Sequence, residues 1–167
     1  MPKSDQGVFA DRYSIIPRTL IFITRGNAVL MIKGAPTKRL WANQYNGIGG
    51  HIDRGEDALS SARRELYEET GLEDMALRLV GTVIVNAGEQ RGIGLFVFRG
   101  EYARGDLHPS PEGQLEWVPI DHLRDFPLVE DLQILLPKVI QMRPGDPPFS
   151  ALYFYDEQDR LRIAFGL

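Results

Sequence analysis

The sequence contains no cysteine, which excludes disulfides, thiol nucleophiles and cysteine-ligated zinc together. Histidine is scarce as well. His51, His108 and His122 form neither an HxH nor an HExxH spacing, so a histidine-based zinc site lacks its ligands. No apolar run approaches the ~20 residues of a membrane span, and the opening MPKSDQGVFADRY lacks the apolar core of a signal peptide. These absences point to a cytoplasmic protein with no membrane partner. An excess of positive charge is also missing: Lys and Arg number 19 against 23 Asp and Glu, a net charge of −4. That balance offers no phosphate-backbone track for nucleic acid. Anionic small molecules stay open as ligands, because a bound divalent cation dominates its local field.

What is present suits one compact core. At 43% hydrophobic and 25% charged residues over 167 positions, the chain has the composition and length of a single soluble α+β domain. Residues 1–17 read as a polar, partly disordered tail. TLIFIT (Thr19 to Thr24) and AVLMIK (Ala28 to Lys33) flank a turn at Arg25-Gly26-Asn27 and read as a hairpin. GAPTKRLWANQY reads as a loop, and the glycines of NGIGGHIDRGED suggest backbone passing close to a ligand. From Asp57 to Thr70 the spacing of Ala58, Ala62 and Leu66 predicts a helix, with Gly71 placed to end it. Beyond it, LRLVGTVIVNA, GIGLFVFRG and QLEWVPI predict strands. A short helix at Asp121 to Asp125, a longer one from Val129 to Gln141 interrupted by Pro137, and a closing hairpin turning at Glu157 to Asp159 complete the chain.

The helix carries an electrostatic oddity. Glu65, Glu68 and Glu69 fall at i, i+3 and i+4, where like charges cost ~0.2–0.5 kcal/mol per pair and oppose the dipole at a helix C-terminus. Arg63, Arg64 and Arg78 relieve part of this, yet Arg64 cannot neutralise three carboxylates. A solvated acidic face is the bland reading. A divalent cation reverses the argument: Mg²⁺ and Mn²⁺ take oxygen ligands, usually one or two carboxylates plus substrate phosphates. The upstream glycine loop is placed to add a backbone carbonyl.

Gly50 to Leu72, GHIDRGEDALSSARRELYEETGL, fits every fixed position of the Nudix box, G-x5-E-x7-R-E-U-x-E-E-x-G-U, where U is a bulky aliphatic residue. Gly50, Glu56, Arg64, Glu65, Leu66, Glu68, Glu69, Gly71 and Leu72 are in register, so the chain resembles the Nudix hydrolase family. The resemblance implies the Nudix fold, a mixed β-sheet sandwiched between α-helices, and Mg²⁺-dependent hydrolysis of a nucleoside diphosphate linked to another group, with Mn²⁺ as a substitute metal. By that pattern Glu68, Glu69 and the Gly49 carbonyl are metal ligands. Glu65 is a ligand or the general base, and Glu56 pairs with Arg64 to hold loop against helix. For Glu56 a capping box formed with Asp53 is the alternative.

The flanks bear on the substrate. Tyr45 to Gly50 resembles the approach to the box in relatives that hydrolyse oxidised purine nucleoside triphosphates, where the Asn contacts the base; Tyr45 and Ile48 depart from the aromatic residues usual there. Asn46 is therefore a base-reading residue or, before Gly47, a turn-capping one. In PEGQLEWVPI (Pro111 to Ile120), Glu112 stands at the position of a further metal-binding or base carboxylate, or is solvated surface. Glu130 and Asp131 match the acidic pair set against the purine edge, or serve a helix dipole. The closing hairpin, with Phe149, Tyr153, Phe154 and Tyr155, resembles the same branch. Nudix branches that act on ADP-ribose or dinucleoside polyphosphates tend to carry a Pro or Tyr shortly after the box; here no Pro lies between Glu73 and His108 and Tyr first appears after the box at Tyr102, so the resemblance to those branches is the weaker one. The expectation is a Mg²⁺-dependent enzyme that converts a purine nucleoside triphosphate, with 8-oxo-dGTP as the candidate, to monophosphate and pyrophosphate. Its partner is a small nucleotide, and its state a monomer or homodimer. Alternatives are an ADP-ribose or nucleotide-sugar pyrophosphatase, pyrophosphate removal from RNA 5′ ends, and a Nudix-fold nucleotide sensor without turnover.

Overall fold

The computed structural model describes residues 2–110 and 112–166; Met1, Pro111 and Leu167 lie outside the described residues, so the expected PEGQLEWVPI segment is described from Glu112 onward. Among the described residues eight strands form one mixed sheet: β1 (Ser14–Arg25), β2 (Ala28–Gly34), β3 (Tyr45–Asn46), β4 (Arg78–Val85), β5 (Arg91–Glu101), β6 (Gly113–Pro119), β7 (Phe149–Tyr155) and β8 (Leu161–Phe165). Helix α1 (Ala58–Thr70) follows β3 and α2 (Leu132–Gln141) precedes β7. The strand order is β3-β2-β1-β5-β4-β7-β8, with β6 also paired to β2.

The central strands are apolar on both faces because both are covered. Ile21 and Ile23 of β1 pack with Ala62 and Leu66 of α1 on one side. Leu20 and Phe22, on the other parity, pack with Leu132, Leu135, Leu136 and Val139 of α2. That i, i+3, i+4, i+7 set is the buried stripe of an amphipathic helix. The sheet is thus sandwiched between α1 and α2, as the Nudix resemblance implies.

A fork in the sheet positions the site. β6 runs along the whole of β2 from Ala28 to Gly34, which leaves β1 and β3 to share the other edge. β1 keeps β2 only at Ile23↔Leu30, Thr24↔Val29 and Arg25↔Ala28. Below that point the strands part, and the glycine loop fills the gap through bridges Ile21↔Ile48 and Arg18↔His51. Backbone bonds fix it there, among them Thr19 N–H to the Gly50 carbonyl at 2.9 Å, Ile21 N–H to the Ile48 carbonyl at 2.7 Å and Ile48 N–H to the Ile21 carbonyl at 3.1 Å. Gly49 sits at φ +142, and a Cβ on it would lie 2.3 Å from the Thr19 carbonyl oxygen, so only glycine fits.

Three features differ from expectation. Ser14, Ile15, Ile16 and Pro17, assigned to the polar tail, belong to β1 and pair in parallel with Arg91 to Gly94 of β5. The edge that Pro17 leaves without a donor is used through its carbonyl, which accepts from Ile52 N–H at 3.1 Å. Helix α2 begins at Leu132 rather than Val129, and it runs through Pro137 to Gln141. Arg99 and Arg78 donate to the carbonyls of Ile140 at 2.7 Å and Met142 at 3.2 Å, placing cations at its carbonyl end. Among the described residues no helix is long and apolar enough to cross a membrane.

Candidate active site

The box folds into a loop clamped on a helix. Asp57 caps α1 by accepting from Leu59 N–H at 2.9 Å and Ser60 N–H at 3.0 Å, and Gly71, at φ +78, closes the other end with its N–H on the Tyr67 carbonyl. The helix cap being Asp57, the Asp53–Glu56 pair is not its capping box. Glu56 instead turns the preceding loop, accepting from Asp53 N–H at 3.0 Å, and grips Arg64. Arg64 donates to Glu56 from Nε at 2.7 Å and Nη2 at 2.9 Å, and from Nη2 to the His51 carbonyl at 3.1 Å. The Arg64 hydrogen bonds hold the Glu56 carboxyl down at about 2.

The three glutamates occupy different environments along one helix face. Glu69 is buried, and its carboxylate accepts from Gly49 N–H at 3.0 Å. Burial pushes its pKa up to about 7 despite that bond, with the charges of Glu65 and Glu112 adding to the rise. Glu65 lies against the loop so closely that a Cβ on Gly50 would meet its Oε1 at 2.5 Å, and burial raises its pKa too. Glu68 is the exposed member, its side chain 55% accessible. Arg64 Nη1 bridges Glu65 at 2.9 Å and Glu68 at 3.0 Å, so one guanidinium serves Glu56, Glu65 and Glu68 together.

Among the described residues no three acidic or histidine side chains stand close enough, as they are, to enclose a metal ion. The donor chemistry nevertheless suits a hard divalent cation. The carboxylates are oxygen-only, no thiol or imidazole competes, and the buried Glu69 is held in the high-pKa state that a cation would relieve. Glu68, the exposed one, is held by Arg64 at 3.0 Å.

All three glutamates line a cavity of about 810 Å³, together with Gly49, Asn46, Glu112, Glu130 and Asp131. Arg64 and Glu56 stand behind it. Its lining joins the acid cluster to an apolar floor supplied by the sheet. Ile93 of β5, Val85 of β4 and Tyr153 of β7 form a cross-strand row, and Leu95 and Leu161 also line the cavity. Between them stand polar groups. Asn46 Oδ1 accepts from Gly47 N–H at 2.8 Å, a turn contact that leaves its Nδ2 side to the cavity. Asp131 precedes α2 without capping it. Its carboxyl instead faces the buried Tyr153 hydroxyl, which makes no hydrogen bond of good geometry. Burial raises Asp131 to about 6 and raises Tyr153 as well. Glu130, its neighbour, is exposed at the rim.

Sequence reasoning missed Arg18, Lys38, Trp41 and Gln44, all of which line the cavity. Arg18 donates from Nε to His51 Nε2 at 3.2 Å, and Lys38 is ion-paired with Glu112. Only strand parity could have flagged Arg18, as a charge on the face shared with Leu20. Trp41, 44% exposed and at φ +59, had no local signal.

The NUDIX domain model matches residues 15–139. An oxidized purine nucleoside triphosphate hydrolase of Danio rerio is 29% identical over 126 residues, 75% of this chain and 80% of that one. An isopentenyl-diphosphate Delta-isomerase of Rhodobacter capsulatus is 36% identical over 115 residues, 62% of this chain and 64% of that one. Among solved structures, a MutT protein from Bacillus halodurans, 22% identical, superposes with a TM-score of 0.74 over 90% of this chain and 97% of that one, a likeness of fold.

Proposed function

The chain belongs to the NUDIX family of hydrolases, and from that premise we propose that it cleaves a purine nucleoside triphosphate to monophosphate and pyrophosphate, with an oxidised purine, 8-oxo-dGTP, as the preferred base. The observation that supports this reading is that one cavity joins the acid cluster to an apolar floor edged by Asn46 and Asp131. A base on the floor would set its phosphates against the glutamates.

Glu65, Glu68, Glu69, the Gly49 carbonyl and Glu112 would hold Mg²⁺, or Mn²⁺ in its place, which when bound neutralises pyrophosphate charge and acidifies water. The remaining work falls to the chain itself. Glu56 and Arg64 fix the loop on α1, so that Glu65 and Gly49 keep their mutual distance. Glu65, whose pKa burial raises, accepts the proton of the attacking water as the anhydride bond breaks. Asn46 Nδ2 donates to the base edge, and Asp131, near neutrality at about 6, donates or accepts according to pH. Glu130 contributes charge at the rim. Such an enzyme works on the free nucleotide pool of the cytoplasm.

The test is kcat/KM on a panel of normal and oxidised purine triphosphates, ADP-ribose, a nucleotide sugar and isopentenyl diphosphate. The reading expects 8-oxo-dGTP to lead by at least about tenfold, a discrimination within reach of one or two base-edge hydrogen bonds. Comparable rates across the panel, or ADP-ribose in the lead, would defeat it. Tight nucleotide binding without turnover would make the protein a sensor.

A further inference from the structure

Lys38 and Glu112 come from two loops that spring from paired strand ends. Gly34 of β2 is opposite Gly113 of β6, and the Ala35 N–H reaches the Glu112 carbonyl at 3.4 Å. The side chains then close an ion pair across the cavity wall, 36% and 47% exposed. Both line the cavity that also holds Glu65, Glu68 and Glu69. Among the described residues the other guanidinium or ammonium group lining this cavity is that of Arg18, which is turned to His51.

We propose that Lys38 is a phosphate-binding residue that exchanges Glu112 for a phosphoryl oxygen of the incoming substrate, so that substrate binding itself frees the Glu112 carboxylate beside Glu69. This deepens the reading given above and rests on it for the identity of the ligand. The exchange is favourable because a half-exposed carboxylate–ammonium pair contributes little, whereas a pyrophosphate oxygen carries more charge and is the stronger acceptor. Before substrate arrives, the pair offsets repulsion between Glu112 and Glu69. Afterwards Lys38 offsets the substrate's charge, and Glu112 is released to the cluster where the box glutamates stand. Lys38 thereby makes release of one carboxylate conditional on the ligand being present.

The probe is inorganic pyrophosphate, its binding followed by titration calorimetry at low ionic strength with divalent metal chelated, so that no turnover is involved. Lys38→Ala is expected to weaken binding about tenfold, the loss of one charge-assisted contact, with Lys38→Arg retaining most of it. Glu112→Gln is expected to tighten binding several-fold, since it removes the competitor for Lys38. That sign is decisive. If the pair were only a loop tie, Glu112→Gln would loosen the wall and leave binding unchanged or weaker. Unchanged or weaker binding in Glu112→Gln, unchanged binding in Lys38→Ala, or no measurable binding to the wild-type protein each overturns the proposal. A wild-type protein inactive on every nucleotide, yet showing both shifts, would defeat the hydrolase reading and leave the exchange standing.

Discussion

Arg64 holds Glu56 with two nitrogens, Nε to Oε1 at 2.7 Å and Nη2 to Oε2 at 2.9 Å, from eight residues along the chain. A planar fork matched to a carboxylate is a contact that lysine cannot reproduce. Arg64→Lys should lower kcat about ten- to a hundredfold, as the loss of a group that orients others commonly does, with the fold intact by circular dichroism. The clamp also has an acid limit. Glu56 titrates at about 2 when folded, below its unfolded value, so its contribution is complete above that unfolded value and is lost as pH falls towards 2. Thermal unfolding followed from pH 5 to pH 2 should therefore show a shallower decline in Glu56→Gln than in the wild type.

Glu69 has the opposite sign. Its folded pKa of about 7 lies above the unfolded value, so the folded state binds the proton more tightly, and the metal-free protein loses stability as pH rises from about 4.5 to about 7. Glu69→Gln removes that slope. Without metal it should melt higher than the wild type at pH 8 and close to it at pH 5. Adding Mg²⁺ at pH 8 should raise the wild-type melting temperature and leave that of Glu69→Gln little changed.

Gly50 has no room for a methyl group, because its Cβ would sit 2.5 to 2.7 Å from the carboxylate of Glu65. Glu65 is the flexible partner and would yield. Gly50→Ala is expected to keep the melting temperature within a few degrees while lowering kcat about a hundredfold, the effect of displacing a catalytic group by about an ångström. An unchanged kcat would place Glu65 outside the chemistry.

Asp131 should set base selectivity in a pH-dependent way. With its carboxyl raised to about 6 by burial, it is a donor below that pH and an acceptor above it. The ratio of kcat/KM for 8-oxo-dGTP over dGTP should change between pH 5 and pH 7.5 in the wild type and stay flat in Asp131→Asn.

Much of this architecture was readable because its determinants are local. The apolar spacing of Ala58, Ala62 and Leu66, the Asp57 cap and the C-terminal Gly71 lie within one helix, and the turn at Gly26-Asn27 joins strands adjacent in sequence. The start of β1 was not local: Ser14 to Pro17 are ordered by pairing with Arg91 to Gly94 of β5, more than seventy residues on. The same holds for Asp131, which faces Tyr153 of β7, and for Lys38, whose partner Glu112 arrives with β6. A composition read as a plain loop could not show that it forms a cavity wall. The boundary of α2 was misplaced because Val129 and Leu132 are both buried, although only Leu132 is helical.

The most direct test of the central claim is single-turnover pyrophosphate release from 8-oxo-dGTP with saturating Mg²⁺, comparing the wild type with Glu65→Gln, Glu68→Gln, Glu69→Gln and the triple variant. If the three carboxylates act as one unit, each single change should lower the rate by about a hundredfold or more, and the triple variant by far less than the product of the singles. Wild-type rates in the single variants would contradict the account.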